Sequence, residues 1–363
     1  MTDAGSAFSR LERAKEALDG GLPSEALRLL GPPVPHSLRD ERLFLTAESL
    51  RAQGFFLRSA ALYGAILGRL KPESDPALWL ESCLNLASVR RSLGRTDAAR
   101  KLVARGSAAA RRLRQGGLAE RIELESALVE RAEGRYRRSL AKLGRLLRVF
   151  RRRGDQPAAG FVLWAMGGAR RFMGDLSGAE RDFKSALAEA RRGGDAAGAA
   201  YALFGLGGVT RIAGRLQASA AFYAEAGRRL DGTDDLFGRA YAHCGLANAL
   251  RQKGELSKAR SHYLRSHALY SRLGDAVDLA YVDWGLGKVA FQQGRLPEAE
   301  TRLRQSLAAF ARHHETRGSV LAETALAAVW HARGKTARAE ALFDRAVRRA
   351  RAAGLHAHLE VFT

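Results

Sequence analysis

The chain has 363 residues, of which 60 are basic and 38 acidic, for a net charge of +22, and 46% are hydrophobic. That apolar share supports a large core and excludes global disorder. Two distant cysteines, Cys83 and Cys244, exclude a disulfide scaffold and a four-cysteine zinc site. No apolar run reaches the length of a membrane span or a signal peptide, so a cytoplasmic, reducing setting is expected. The positive surplus favours acidic partners. Only nine of the 60 basic residues are lysine, however, and arginine abundance also follows from GC-rich coding.

In chain order, residues 1–36 read as a short helical hairpin, with Ala14, Gly21 and Ala26, followed by the stiff linker GPPVPHS (Gly31 to Ser37). A period of forty then takes over. Glycine recurs at Gly54, Gly94, Gly134, Gly174, Gly214, Gly254, Gly294 and Gly334. Seven positions earlier stands a small residue: Ala47, Ala87, Ala127, Gly167, Gly207, Ala247, Gly287 and Ala327. Five positions later stands another, from Ser59 to Ala339, and nine later a bulkier apolar one, from Tyr63 to Phe343. The spacing predicts eight helix-turn-helix units over 37–354. Each glycine would end a first helix in the left-handed conformation, and the small residues would let paired helices approach closely. Asp75, Asp155, Asp195, Asp235, Asp275 and Glu315 recur before the next first helix, where an acidic N-cap belongs. Residues 355–363 form a short tail, expected to cap the last hairpin.

The stretches WGLGKVAFQQGRLPEAETRLRQSL (Trp284 to Leu307) and CGLANALRQKGELSKARSHYLRS (from Cys244) carry these columns at close spacing. They resemble the tetratricopeptide repeat. The forty-residue period resembles its long-helix variant, found in polarity scaffolds that bind G-protein subunits and in bacterial regulators. The resemblance implies an all-α, right-handed α-solenoid of about nine stacked hairpins, continuous over 37–354. It also implies that the inner face of the first helices lines a concave groove for an extended or helical ligand.

Three columns fall on that face. Three residues before each repeat glycine stand Arg51, Arg91, Arg131, Arg171, Arg211 and Arg251, then Phe291 and His331. Seven residues earlier, on the same face, come Trp164, Phe204, Cys244 and Trp284, and three before those Phe161, Tyr201, Tyr241 and Tyr281. Gly168 and Gly208 would leave room for a ligand backbone, and Asn248 and Lys288 continue their column. The central first helices, 160–173, 200–213 and 240–253, hold no acidic residue, so their arginines lack partners on their own helices. A competing reading has the arginines pairing between hairpins or covering apolar surface with their stems. A second basic feature is regional. Residues 86–153 carry 20 basic and 6 acidic residues, with Lys101, Arg105, Arg138, Lys142 and Arg145 on second helices, where a solvated outer face or a docking surface is expected.

Catalytic patterns are missing. The glycine strings lie within helices rather than after strands, so they do not cradle phosphate. The histidine pairs His313–His314 and His356–His358 have no further ligands at metal spacing, so no metal or cofactor is expected. The predicted function is a non-catalytic scaffold gripping an acidic, partly apolar partner segment. The alternative is single-stranded nucleic acid, which arginine and stacked aromatics also suit.

Overall fold

A computed structural model describes residues 4–114 and 116–355 of the chain. The described residues are helical throughout, with no strand. A short hairpin of α1 (Ala4–Asp19) and α2 (Pro23–Leu30) comes first. Three hairpins follow: α3 (Arg39–Ala52) with α4 (Phe56–Arg69), α5 (Pro76–Ser92) with α6 (Thr96–Arg112), and α7 (Ala119–Ala132) with α8 (Tyr136–Arg153). Next come α9 (Gln156–Phe172) with α10 (Leu176–Arg192), α11 (Ala196–Ile212) with α12 (Leu216–Leu230), and α13 (Leu236–Gln252) with α14 (Leu256–Leu273). The last pairs are α15 (Ala276–Gln292) with α16 (Leu296–Arg312), and α17 (Thr316–Ala332) with α18 (Thr336–Ala352). Residues 356–363, including His356 and His358, lie outside the described residues, and so does the capping role expected of the tail.

The chain forms two compact units, one of residues 1–199 and 232–235, the other of 200–231 and 236–363. In both, the period of forty does the work expected of it. Gly21 and all eight repeat glycines have positive φ, between 72° and 92°, as a helix-ending left-handed residue requires. The acidic column caps the next helix. Asp75, Asp155, Asp195 and Asp275 each accept from the backbone N–H three residues on, at 2.7–3.1 Å, and Glu315 does so at 3.4 Å. Proline sits in the first turn of α2, α5, α9 and α16, where its missing N–H costs nothing.

Packing explains the small column. A Cβ on Gly167 would lie 2.9 Å from the Phe183 ring, and one on Gly207 2.7 Å from Tyr223. Tyr223 also fills the space against Gly245 of the next hairpin, where a Cβ would come within 2.1 Å, and Tyr263 does the same at Gly285. The bulky residue nine past the turn therefore packs within its hairpin and against the next one. Ser59 Oγ donates to the Ala47 carbonyl at 2.9 Å and Ser219 Oγ to that of Gly207 at 2.8 Å, tying the two helices at their closest approach. The first hairpin shares its core with α3 through Leu11, Leu30 and Leu45, and Arg42 Nε donates to the Leu30 carbonyl at 2.8 Å across the linker.

Candidate functional site

The arginine column divides into paired and unpaired members, and each unit holds its own part. In the first unit, Arg51 sits 2.6 Å from Glu48, a carboxylate that also accepts from the Tyr63 hydroxyl and the Asn85 amide. Burial opposes its charge, but Glu48 and then Tyr63 hold the Arg51 guanidinium above its ordinary value. Arg91 reaches from α5 to α7. Its Nε lies 2.8 Å from Glu125 Oε1 and its second nitrogen 3.3 Å from Oε2, a fork in which the two side chains are only 14% and 9% exposed. For Arg91 the reading of pairing between hairpins holds, whereas Arg51 pairs on its own helix; both are corrected from groove ligands to structural ion pairs.

From Arg131 onward the carboxylates stop. The position 34 residues beyond Arg91 is Glu125, whereas the same register reads Ala165, Gly205, Gly245 and Gly285 in later repeats. Arg131 instead lies over the Trp164 ring at 5.0 Å and donates weakly to the Ala165 carbonyl at 3.4 Å. A Cβ on Gly168 would stand 2.9 Å from the Arg131 guanidinium, so the space at Gly168 is taken by that side chain rather than left for a ligand backbone. Burial, and then the Arg91 and Arg171 cations, push Arg131 down to about 9, which leaves it protonated at neutral pH. Arg171 stacks over Phe172 at 5.0 Å, and its buried Nε has no hydrogen-bond partner among the described residues.

In the second unit, α11 and α13 carry Arg211 and Arg251, only 5% and 4% exposed. Arg211 Nε and one terminal nitrogen are buried without a partner among the described residues, and so is Arg251 Nε. Arg251 faces the Trp284 ring at 5.7 Å and the Tyr263 hydroxyl. Lys288 lies over Trp284 at 5.0 Å. Asn248 accepts from the Tyr263 hydroxyl at 2.7 Å, so its side chain serves the hairpin.

The aromatic columns also divide. Trp284 is 1% exposed and its indole N–H donates to the Leu321 carbonyl at 3.1 Å; Phe204 is 4% exposed and packs among Tyr201, Tyr223 and Tyr241. Both are core residues, which corrects their placement on a groove wall: Phe204 is enclosed by other rings, and Trp284 lies in its hairpin core with Arg251 and Lys288 over its ring. Gly208 is buried as well. Tyr201 and Tyr241 are half-buried, and the half-buried Tyr281 donates to Glu315 at 2.9 Å. Phe161 is the exposed member, resting on Trp164 at 5.5 Å, and Met173 is a comparably exposed apolar residue that the column analysis missed.

The basic stretch 86–153 is neutralised only in part. Lys142 pairs with Glu130 at 2.9 Å, Arg145 with Glu123 at 2.6 Å and Arg153 with Glu120 at 2.7 Å, while Arg105 lies over Trp79 at 4.7 Å. Neither cysteine is a nucleophile in waiting. Burial pushes the Cys83 thiol up to about 11, and burial with Asp278 nearby pushes Cys244 up to about 12. Among the described residues no three metal-ligating side chains gather, and no helix is long and apolar enough to cross a membrane.

Successive hairpins, each closed by a left-handed glycine, define a helical-repeat protein of the tetratricopeptide type. Residues 238–312 match the tetratricopeptide repeat model directly. The fold is shared with BtubC (BKLC) from P. vanneervenii at 22% identity, over 61% of this chain and 93% of that one, with a TM-score of 0.51. It is also shared with a Rap protein solved in complex with competence and sporulation factor, at 12% identity, 93% and 99% coverage and a TM-score of 0.61. The apo form of RapI aligns at 10% identity, over 75% and 97% of the two chains, with a TM-score of 0.59. No curated protein matches the sequence.

Proposed function

We propose that the chain is a non-catalytic interaction scaffold that grips an acidic, partly apolar segment of a partner protein through the first-helix face carrying Arg211 and Arg251. One observation carries the reading: two guanidiniums no more than 5% exposed, with no carboxylate paired to either among the described residues. A buried charge without a counter-ion is costly, and a ligand carboxylate that reached these guanidiniums would supply the missing acceptors. The half-buried Tyr241 on the same face supplies apolar area. A Rap protein of the same fold, solved in complex with competence and sporulation factor, supports the reading.

Capture of partners on the purified chain, before and after nuclease treatment, tests the reading. Binding should survive nuclease, weaken with salt, and be lost in Arg211→Glu/Arg251→Glu. Binding that disappears with nuclease replaces the acidic segment by single-stranded nucleic acid; the variant binding like the wild type refutes the site.

A further inference from the structure

A cavity of about 660 Å³ opens in the first unit between α6 and α7, away from the arginine column. Its origin is legible in the repeat register. Ser107 stands in a column that reads Leu67, Leu147, Leu187 and Leu307 in four other repeats and Gly227, His267 and Val347 in the remaining three. On the facing helix, Ser126 occupies a column filled by Leu86, Met166, Leu206, Leu246, Leu286 and Leu326 in six other repeats and by Thr46 in the first. Two side chains that are leucine in most other repeats are thus cut back on the two facing walls of a single interface. A void of this size in a repeat stack forfeits dispersion contacts and apolar burial that its neighbours keep. It also falls within the size range of small-molecule sites.

The lining states what fits. Val103, Ala104, Ile122 and Val129 make an apolar floor. Around it stand five cations and two carboxylates: Glu130 Oε1 pairs with Lys142 at 2.9 Å while its buried Oε2 has no hydrogen-bond partner among the described residues, and Glu123 pairs with Arg145 at 2.6 Å. Donors remain. Arg135 Nε is buried with no partner among the described residues. Arg111 makes one hydrogen bond, to Ser107 Oγ at 3.0 Å, and keeps its other nitrogens; Arg114 is exposed at the rim. An apolar floor under an excess of cations, with guanidinium donors to spare, suits an amphipathic anion over an amine.

We infer that this cavity is a binding site for a small apolar carboxylate, with its hydrocarbon part between α6 and α7 and its head group on Arg111, Arg114 and Arg135. The inference is independent of the groove proposed above.

Titration calorimetry of the purified full chain with sodium decanoate and with decylammonium chloride tests it. One decanoate should bind per chain, with decylammonium weaker by about tenfold or more. Ser107→Leu/Ser126→Leu should fill the cavity and abolish decanoate binding. Arg111→Gln/Arg114→Gln, at exposed positions, should keep its helical circular dichroism and weaken decanoate by about tenfold. Arg211→Met, in the other unit, should bind decanoate like the wild type. No decanoate binding, equal binding of the amine, or retention in the folded filled variant would each overturn the site. If the filled variant does not fold, undiminished binding by the arginine double variant overturns it.

Discussion

The paired and unpaired arginines respond oppositely to removal of charge. Arg91→Met deletes a guanidinium that makes a fork to Glu125, and leaves that carboxylate, 9% exposed, without its counter-ion. Breaking a buried pair by removing one partner costs about 3–5 kcal/mol. The first unit contains about 200 residues, for which 1 kcal/mol corresponds to about 2–4 °C, so melting should fall by roughly 6–20 °C. Removing both partners, Arg91→Met/Glu125→Leu, should restore most of the loss, because the apolar pair fills the space without a stranded charge. Arg211→Met deletes a guanidinium that has no carboxylate partner and is 5% exposed. Its removal relieves desolvation rather than stranding a partner, so melting should hold or rise by a few degrees. Thermal melts of the four proteins by circular dichroism at pH 7 decide the matter. If Arg211→Met melts as early as Arg91→Met, Arg211 holds the stack together, and the proposed function loses its supporting observation.

His314 has a left-handed φ of 56° at the register where Gly154, Gly194 and Gly274 stand, so His314→Gly should stabilise by about 0.5–1 kcal/mol, the relieved strain less the added freedom of the unfolded chain. Gly245→Ala should destabilise by about 1–3 kcal/mol in urea titrations, because its Cβ would meet the Tyr223 ring at 2.1 Å. His243 and His262 face each other through Nδ1 at 3.1 Å. Burial, then the His243 ring and Arg265, lower His262 to about 4, and burial with Arg265 lowers His243. Folded-state values below the unfolded one mean that the unfolded chain binds more protons, so stability present above about pH 6.5 should decline towards pH 4. His243→Leu/His262→Phe, which restores the residues of the preceding repeat, should flatten that decline in melts followed against pH; an unchanged slope would refute the assignment.

Backbone requirements were legible because they act locally. A glycine that must end a helix with positive φ, or an aspartate that must accept from the N–H three residues on, answers to its immediate neighbours, and a fixed period repeats that demand. The arginines were legible only as a column. Whether each is paired depends on a residue 34 positions later on the next hairpin, and the change from Glu125 to Ala165, Gly205, Gly245 and Gly285 was readable once that offset was known. Aromatic residues misled for a related reason. Helical register places Phe161, Trp164, Tyr201 and Phe204 on one face, but the approach of the neighbouring helices decides depth, leaving Phe161 43% exposed and Phe204 4%. The cavity shows the same logic in reverse. No local rule marks Ser107 or Ser126 as unusual, since serine is ordinary in a helix. They become informative only against the leucines that predominate in their columns, where the missing volume on one helix meets the missing volume on the helix that faces it. In a repeat protein, then, periodic identity reports the fold, and function is to be sought where a column departs from itself at two positions in contact.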